Sequence, residues 1–153
     1  MDIEDLKSIV IDLVAEADIL KRKFVSDTAP VNYACIFCHS DEEYKVFFET
    51  TERIGKIVQE TGPGTIFQIE PWETVAGILK ILKIRKPDPT RIERGYVDFT
   101  LSNYEEFKET HLKQEWFKLI VREKYEMIEL KDPNFDVLVY FANPPLDKQL
   151  GIR

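Results

Sequence analysis

The sequence repeats one pattern of elements, and this repeat limits the fold more than any other feature. A segment rich in β-branched and aromatic residues, 31–38, runs into a helix start, and the same order recurs 63 residues later. The shift superimposes six pairs of residues: Tyr33 on Tyr96, Ser40 on Asn103, Glu42 on Glu105, Glu43 on Glu106, Tyr44 on Phe107 and Lys45 on Lys108. Ser or Asn followed three residues later by Glu is typical of a capped helix start. The chain is therefore expected to contain two similar units.

Further strand signals follow the first copy of this pattern. Residues 55–71 predict two short strands joined by a turn at residues 62–64. Residues 73–86 fit either one helix face or an extended strand, and Gly77 and Pro87 favour the strand. The first unit is therefore expected to run strand, helix and three strands.

The second copy and the leading segment complete the prediction. Residues 116–132 predict a hairpin that turns near 122–124, and residues 136–145 predict a buried strand that ends at prolines. Apolar residues at helical spacing between Ile3 and Phe24 predict a leading helix capped by Asp2. We predict a single α+β domain, residues 1–153, with two βαβββ units. Its parts are a leading helix at 1–29, a first unit at 31–87, a second unit at 94–144 and a tail at 145–153.

The charge of the chain narrows the classes of function. Its 153 residues carry a net charge of −7 and a pI near 5.0, whereas general nucleic-acid binders depend on Lys and Arg to neutralise phosphates. The N-terminus is acidic, and no apolar run approaches the roughly 20 residues that cross a bilayer. We expect a cytoplasmic protein that binds neither nucleic acid nor a membrane.

Residues 35–39 read Cys-x-x-Cys-His, the attachment sequence of a c-type haem. These cysteines belong to a predicted strand, in which side chains alternate between faces, so Cys35 and Cys38 are expected to point to opposite sides. No signal peptide for export to an oxidising compartment is visible, and zinc would need His39 together with the distant His111. The sequence therefore favours two structural cysteines over covalent haem, zinc or a redox pair, and it predicts no cofactor.

Two consecutive βαβββ units in a chain of this length resemble the vicinal-oxygen-chelate superfamily, which includes glyoxalase, bleomycin-resistance and extradiol-dioxygenase proteins. The resemblance covers about residues 31–143 and rests on the segments NYACIFC, YVDFTLS and KIRKPDP. Within this superfamily the chain most resembles the YecM-like branch, because a leading helix precedes the first unit. The resemblance implies a cupped mixed sheet from each unit and a cleft between the two units.

Proteins of this superfamily hold a metal ion in the cleft, and the resemblance implies where its ligands would lie. They are typically a His near the start of each unit's first strand and a Glu on each unit's last strand. Here the first-strand positions are Tyr33 and Tyr96, and the last-strand positions are Arg85 and either Tyr140 or Phe141. Neutral tyrosine is a poor ligand for hard divalent ions, and protonated arginine cannot be one. We therefore expect the usual metal site to be absent.

The residues at these positions suit a small anionic molecule instead. Arg85 offers a fork of donors for a carboxylate or phosphate, and the phenols of Tyr33, Tyr96 and Tyr140 would add hydrogen bonds or ring stacking. Residues 80–94 carry a local charge of +4, which would concentrate an anion. The alternative is a solvated loop whose charges pair with the surrounding acids.

Three further polar residues are expected to face the cleft. Gln68 lies on an inner strand and is a candidate ligand-binding residue. Asp98 interrupts an apolar strand, where an unpaired carboxylate would be costly, so it either has a partner or lines the cleft. Asp98 and Glu129 are the candidate catalytic bases, because a base must reach the proton that it removes.

Two other functions stay open on the sequence alone. One is a metal-dependent isomerase, lyase or dioxygenase-like enzyme that holds a divalent ion through an oxygen-rich set, with Glu70, Asp98 and Glu129 as ligands beside Gln68. The other is a non-enzymatic interaction module, in which the tail residues form an exposed apolar patch: Leu146, Leu150 and Ile152. We expect a homodimer, and the sequence decides neither the ligand nor whether the protein is an enzyme.

Overall fold

The leading helix begins where its sequence predicts. In the computed structural model, which describes residues 1–26 and 28–152, α1 spans Ile3–Arg22. The Asp2 side chain accepts a hydrogen bond from the backbone N–H of Asp5 at 2.8 Å, which satisfies one of the unpaired amides of the first turn. None of the helices within the described residues is long and apolar enough to cross a bilayer.

The first unit follows as a strand, a helix and three strands. They are β1 (Val31–Phe37), α2 (Asp41–Glu52), β2 (Gly55–Glu60), β3 (Gly64–Thr74) and β4 (Gly77–Arg85). The ambiguous residues 73–86 thus form the end of β3 and the strand β4. Gly77 lies at the turn between these strands with φ +109°, a conformation that residues with a Cβ rarely adopt. The glycine therefore permits the hairpin that the sequence favours.

The second unit repeats this order. It consists of β5 (Gly95–Phe99), α3 (Tyr104–His111), β6 (Phe117–Val121), β7 (Glu126–Leu130) and β8 (Leu138–Asn143), and the short helix α4 (Leu146–Gln149) follows it. Ser40 and Asn103, which are equivalent under the 63-residue shift, cap α2 and α3. Each side chain accepts a hydrogen bond from the backbone N–H three residues on, at 3.0 and 3.1 Å. The repeat is thus present in the elements and in their caps.

All eight strands form one mixed sheet in the order β2-β3-β4-β1-β5-β8-β7-β6. At its centre β1 and β5 pair in antiparallel orientation, with Ala34 opposite Val97. These two residues are equivalent under the shift, so a local two-fold axis passes between the units. Within each unit the first strand pairs in parallel with the last strand. The chain therefore has the predicted α+β fold, with two βαβββ units behind a leading helix.

The two faces of the sheet bury different side chains. The helices α1, α2 and α3 cover one face with a large apolar core. The opposite face, which we call the tyrosine face, carries a smaller buried cluster: Tyr33, Cys35, Phe37, Ile66, Ile81, Tyr96, Leu138, Tyr140 and Leu146. Cys35 belongs to the tyrosine face and Cys38 to the helix-covered core. This confirms that the two thiols, which are both free, point to opposite sides of the sheet.

Candidate functional site

Two tyrosines form the centre of the tyrosine face. Tyr33 on β1 and Tyr96 on β5 are equivalent under the repeat, and the antiparallel pairing of their strands brings them together across the local axis. Their hydroxyl oxygens lie 2.7 Å apart, and their rings meet edge to face with centroids 5.5 Å apart. Tyr140 on β8 adds a third ring, 4.4 Å from that of Tyr96. Burial raises the pKa of all three phenols above the usual range, so each phenol stays neutral.

Most of the predicted cleft residues lie along one row of the sheet. The register orders the row across six strands as Gln68, Ile81, Tyr33, Asp98, Tyr140 and Glu129. Side chains in one such row point to the same face, and neighbouring strands are about 4.8 Å apart. The structure therefore places Tyr33, Asp98, Tyr140 and Glu129 on consecutive strands, whereas Ile81 separates Gln68 from them.

On the side of the second unit, the polar groups satisfy one another. The hydroxyl of Tyr140 donates a hydrogen bond to Oε2 of Glu129 at 2.8 Å. Nη1 of Arg91 lies 3.7 Å from the same oxygen, and both Tyr140 and Glu129 are buried. These three residues form a closed network, because the carboxylate already has a donor and a positive charge.

The tyrosine face also contains a cavity of about 250 Å³. Its walls come from both units and from α4, and they consist of ten residues: Tyr33, Gln59, Thr61, Ile66, Lys83, Tyr125, Met127, Ala142, Leu146 and Gln149. Among these described wall residues, Lys83 alone is charged at pH 7. The cavity therefore combines four apolar side chains with one lysine, two phenols, two amides and one aliphatic hydroxyl, so it offers a small molecule both apolar contact and hydrogen-bond donors.

Lys83 has no partner of its own within the described residues, since its ammonium makes neither a hydrogen bond nor an ion pair there. On β4 it stands opposite Ile66 of β3 and beside Cys35 of β1. Burial lowers the pKa of Lys83, the nearby Cys35 opposes this shift, and the charge of Arg85 adds to it. An ammonium held partly away from water without a counter-charge raises the free energy of the protein. An anion in the cavity would lower it.

The repeat explains why Lys83 lies at this position. Leu82, the residue before Lys83, lies opposite Ala34 of β1. Val139, the residue before Tyr140, lies opposite Val97 of β5, and Ala34 and Val97 are equivalent under the 63-residue shift. Lys83 in the first unit is therefore the counterpart of Tyr140 in the second. The sequence analysis did not single out Lys83 within its basic segment, and the repeat extended to the last strand of each unit is the signal that identifies it.

Arg85, the predicted anion ligand, lies outside the cavity wall. It is two residues beyond Lys83 on β4 and therefore faces the same side of the sheet. Its Nη2 donates a long hydrogen bond to Asp88 at 3.4 Å, and its guanidinium carbon lies 5.3 Å from the centroid of the Phe37 ring. The structure thus places Lys83, rather than Arg85, in the cavity.

Asp98 is fully buried beneath the centre of the tyrosine face. In the described part of the chain, neither of its carboxyl oxygens has a hydrogen-bond partner of good geometry. Burial raises the pKa of Asp98 well above its usual range, the backbone N–H of Ala142 opposes the shift, and the charge of Asp147 adds to it. Burial therefore favours the protonated form of this carboxyl, which cannot accept a proton as a general base. Neither Asp98 nor Glu129, the two predicted bases, belongs to the cavity wall.

The positions at which the resemblance implies metal ligands do not suit a divalent ion. Tyr33, Tyr96 and Tyr140 present neutral phenols, and the first unit's last strand presents the ammonium of Lys83. Hard divalent ions prefer carboxylate, carbonyl and water oxygens, and an ammonium has no lone pair to donate. The residues present therefore do not fit the metal of the superfamily.

The alternative oxygen ligands do not come together either. Glu70 is exposed within β3. Asp98 and Glu129 lie two strands apart, a separation of about 10 Å at the usual strand spacing. Metal–oxygen bonds are about 2.3 to 2.6 Å long for calcium and shorter for magnesium. Within residues 1–26 and 28–152, no group of three or more His, Cys, Asp or Glu side chains is arranged to hold a metal ion.

The tail closes one side of the cavity. Leu146 and Gln149 of α4 belong to the cavity wall, and Leu150 and Ile152 pack against the buried cluster of the tyrosine face. The apolar side chains of the tail therefore point towards the sheet. This arrangement differs from the exposed apolar patch that an interaction module would use.

Comparisons with known proteins show the fold. Neither a family model nor a curated protein matches the sequence. A solved structure titled "Structural Genomics, Protein EC4020" is 14% identical and superimposes with a TM-score of 0.74 over 97% of this chain and 91% of that chain. A glyoxalase/bleomycin resistance protein/dioxygenase superfamily member from Vibrio splendidus 12B01 is 10% identical, with a TM-score of 0.47 over 75% of this chain and 98% of that chain. The first likeness extends over almost the whole chain and therefore includes α1.

Proposed function

We propose that this protein binds a small anionic molecule in the cavity of the tyrosine face, with Lys83 as the charge partner and without the divalent metal of vicinal-oxygen-chelate proteins. The observation that carries this proposal is a cavity whose one charged wall residue, among those described, lacks a partner in the protein. A carboxylate or phosphate would supply the missing counter-charge. The closed network around Glu129 offers no comparable place.

The neutral wall residues support an anionic ligand of small size. The hydroxyls of Tyr33 and Tyr125 and the amide of Gln59 can each donate a hydrogen bond to a ligand oxygen. A cavity of about 250 Å³ lies below the range of about 300 to 1,000 Å³ that is usual for drug-sized ligands. The expected ligand is therefore a compact mono- or dicarboxylate or a small phosphate.

We also propose that the chain belongs to the YecM-like branch of the superfamily, as a cytoplasmic homodimer. The position of α1 before the first unit supports the placement in this branch. The two βαβββ units support the superfamily as a whole. Native mass spectrometry of untagged protein tests the dimer directly, and a monomer at micromolar concentration would contradict it.

Calorimetric titration with oxalate and with inorganic phosphate tests the ligand proposal. We expect at least one of these anions to bind saturably to the wild type. In Lys83→Met, which keeps the aliphatic stem and removes the charge, the affinity should fall by about tenfold or more, because hydrogen bonds to charged groups contribute about 1.5 to 3 kcal/mol. The matched control is Lys80→Met, three residues earlier on β4 and outside the cavity wall. Equal affinities in the wild type and Lys83→Met, or no binding of either anion, would overturn the proposal.

A further inference from the structure

We propose that Lys83 is also a nucleophile, which forms an imine with the carbonyl group of a small oxo acid held in the cavity. This inference rests on the proposed function and names its ligand class: a carboxylate that carries an aldehyde or ketone carbon. Three observations point to it. Lys83 lines the cavity of the tyrosine face, it has no internal acid to hold its proton within the described residues, and hydroxyl groups lie in the same wall.

The surroundings of Lys83 favour the neutral amine that such a reaction needs. An ammonium has no lone pair, so only the deprotonated lysine can attack a carbonyl carbon. Burial and the charge of Arg85 both lower the pKa of Lys83, and lysines of this kind, shielded from water near another cation, are the ones that act as Schiff-base residues. The opposite residue on β3 is Ile66, so this neighbour brings no carboxylate that would stabilise the protonated form.

The reaction balances without any further reagent. The lone pair of Nζ forms a bond to the carbonyl carbon, the C=O π bond breaks, and proton transfer from nitrogen to oxygen gives a carbinolamine. The carbon–oxygen bond then breaks as the nitrogen lone pair forms the C=N bond. Both hydrogens of the amine leave with the oxygen as one molecule of water, and no electron is gained or lost.

The tyrosine pair can assist at the oxygen atom. In the hydrogen bond of 2.7 Å between Tyr33 and Tyr96, only one hydroxyl acts as the donor, so the pair keeps one O–H that can donate elsewhere. Tyr33 belongs to the cavity wall. When Tyr96 donates to Tyr33, the hydrogen of Tyr33 is available to the carbinolamine oxygen, and both phenols stay neutral because burial raises their pKa.

Arg85 can keep the carboxylate of the ligand near once the amine is neutral. It lies on the same strand and the same face as Lys83. Its one bond to Asp88 is long, at 3.4 Å, and a guanidinium has five N–H donors. This gives the predicted anion ligand a role beside the cavity rather than inside it.

Reductive trapping tests the inference. The full-length protein is incubated with glyoxylate, treated with borohydride, digested and mapped by mass spectrometry, so that an imine at any lysine becomes a stable carboxymethyl amine. We expect Lys83 to be modified at least about tenfold faster than Lys80, since lysines shielded near another cation are the ones activated as nucleophiles. Oxalate, which fills the same site but does not form an imine, should suppress the modification of Lys83 and leave that of Lys80 unchanged. Modification of Lys83 no faster than Lys80 would overturn the inference.

A second variant separates this inference from the proposed function. Lys83→Arg keeps the positive charge, but a guanidinium forms no imine because it stays protonated. We expect this variant to lose the rapid labelling at position 83, while oxalate binding is measured on the wild type. If wild type binds oxalate but shows no preferential labelling at Lys83, imine formation is refuted and anion binding stands. If neither oxalate nor phosphate binds and no preferential labelling occurs, both proposals fail.

Discussion

The two units place different chemistry at equivalent positions of the tyrosine face. In the second unit, Tyr140 on β8 donates a hydrogen bond to Glu129 on the neighbouring strand β7. In the first unit the same two positions hold Lys83 on β4 and Ile66 on β3. Tyr140 therefore has an internal partner, whereas Lys83 has none within the described residues. The comparison shows that the repeat gives the two units equivalent backbone positions. The side chain at each position then decides whether it can bind a ligand.

The centre of the sheet shows a second contrast of the same kind. Cys35 and Asp98 are equivalent under the 63-residue shift, and both are fully buried. Burial raises the pKa of Cys35 to about 11, and it raises the pKa of Asp98 far above its usual range. A neutral thiol behaves as a small apolar group, but a carboxyl without a partner is costly to bury. Ionisation of Asp98, in the second unit, should therefore lower the stability of the protein more than ionisation of Cys35, in the first unit.

The largest expected effect is the pH dependence that Asp98 gives to stability. The pKa of Asp98 is higher in the folded protein than in the unfolded chain, where it is about 3.9. At a pH between these two pKa values, the native state holds a proton that the unfolded state lacks. This contribution lowers the stability of the wild type by about 1.4 kcal/mol for each unit by which pH rises in that window. In Asp98→Asn the contribution is gone. Denaturant unfolding measured at increasing pH, starting from about pH 4, should show the stability of the variant rising relative to that of the wild type.

The matched control for this measurement is Asp136→Asn, which replaces an exposed aspartate. Its difference from the wild type should stay nearly constant with pH. If the difference in unfolding free energy between Asp98→Asn and the wild type is equally constant with pH, Asp98 is ionised in the folded protein. This result would contradict the contrast drawn with Cys35.

Next in size is the loss expected when the closed network of the second unit is opened. Glu129→Ala leaves the buried hydroxyl of Tyr140 and the charge of Arg91 without their acceptor, which should lower the unfolding free energy by about 2 to 3 kcal/mol. Tyr140→Phe in the same chain removes the orphaned hydroxyl, so the double variant should recover part of this loss. Chemical denaturation of the two single variants and the double variant measures the coupling. Strictly additive losses would show that the two groups do not stabilise each other.

A smaller effect is expected when the first unit is given the pattern of the second. Ile66→Glu places a carboxylate opposite Lys83, where cross-strand neighbours have Cβ atoms about 5 Å apart. Lys83 would then have an internal partner, and oxalate or phosphate affinity should fall by about tenfold, which corresponds to about 1.4 kcal/mol. Titration calorimetry measures it, with Ile66→Gln as the uncharged control. Unchanged affinity in Ile66→Glu would mean that the ligand does not depend on the lack of a partner at Lys83.

The smallest effect should be equal in the two units. Ser40→Ala and Asn103→Ala each remove the side chain that accepts a hydrogen bond from the first turn of α2 or α3. Each change should cost about 1 kcal/mol of stability, measured by thermal or denaturant unfolding. Both caps accept the same type of hydrogen bond, at 3.0 and 3.1 Å. Costs that differ widely would therefore show that the equivalent caps of the two units differ in energy.

The sequence predicts the frame of this protein well because the frame depends on local signals. Capping residues mark helix starts, strand residues alternate between faces, and turn residues such as Gly77 separate the strands. Together these signals predict both units and the separation of Cys35 from Cys38. All of them act over a few residues or through the repeat.

The sequence predicts the cavity less well because the cavity depends on register and on the tail. The pairing of β4 with β1 and β3 decides whether Lys83 or Arg85 lies in the cavity. A change of two residues in this register would keep both side chains on the same face but would put the other cation in the cavity. The polar wall residues Gln59 and Tyr125 come from opposite ends of the sheet. No local pattern links them, and they line one cavity only because the folded sheet and the tail bring its two ends towards each other.

The position of the tyrosine pair on the local axis has a consequence for the origin of the fold. Ala34 and Val97 are equivalent residues that face each other, so the contact between Tyr33 and Tyr96 is one residue meeting its own counterpart. A chain of half this length, containing one unit and associating with a second copy through its first strand, would make the same contact between two copies of a single tyrosine. Gene duplication and fusion would preserve that contact unchanged. In such a history the two copies of each remaining position could diverge, and Lys83 and Tyr140 are two equivalent positions that differ.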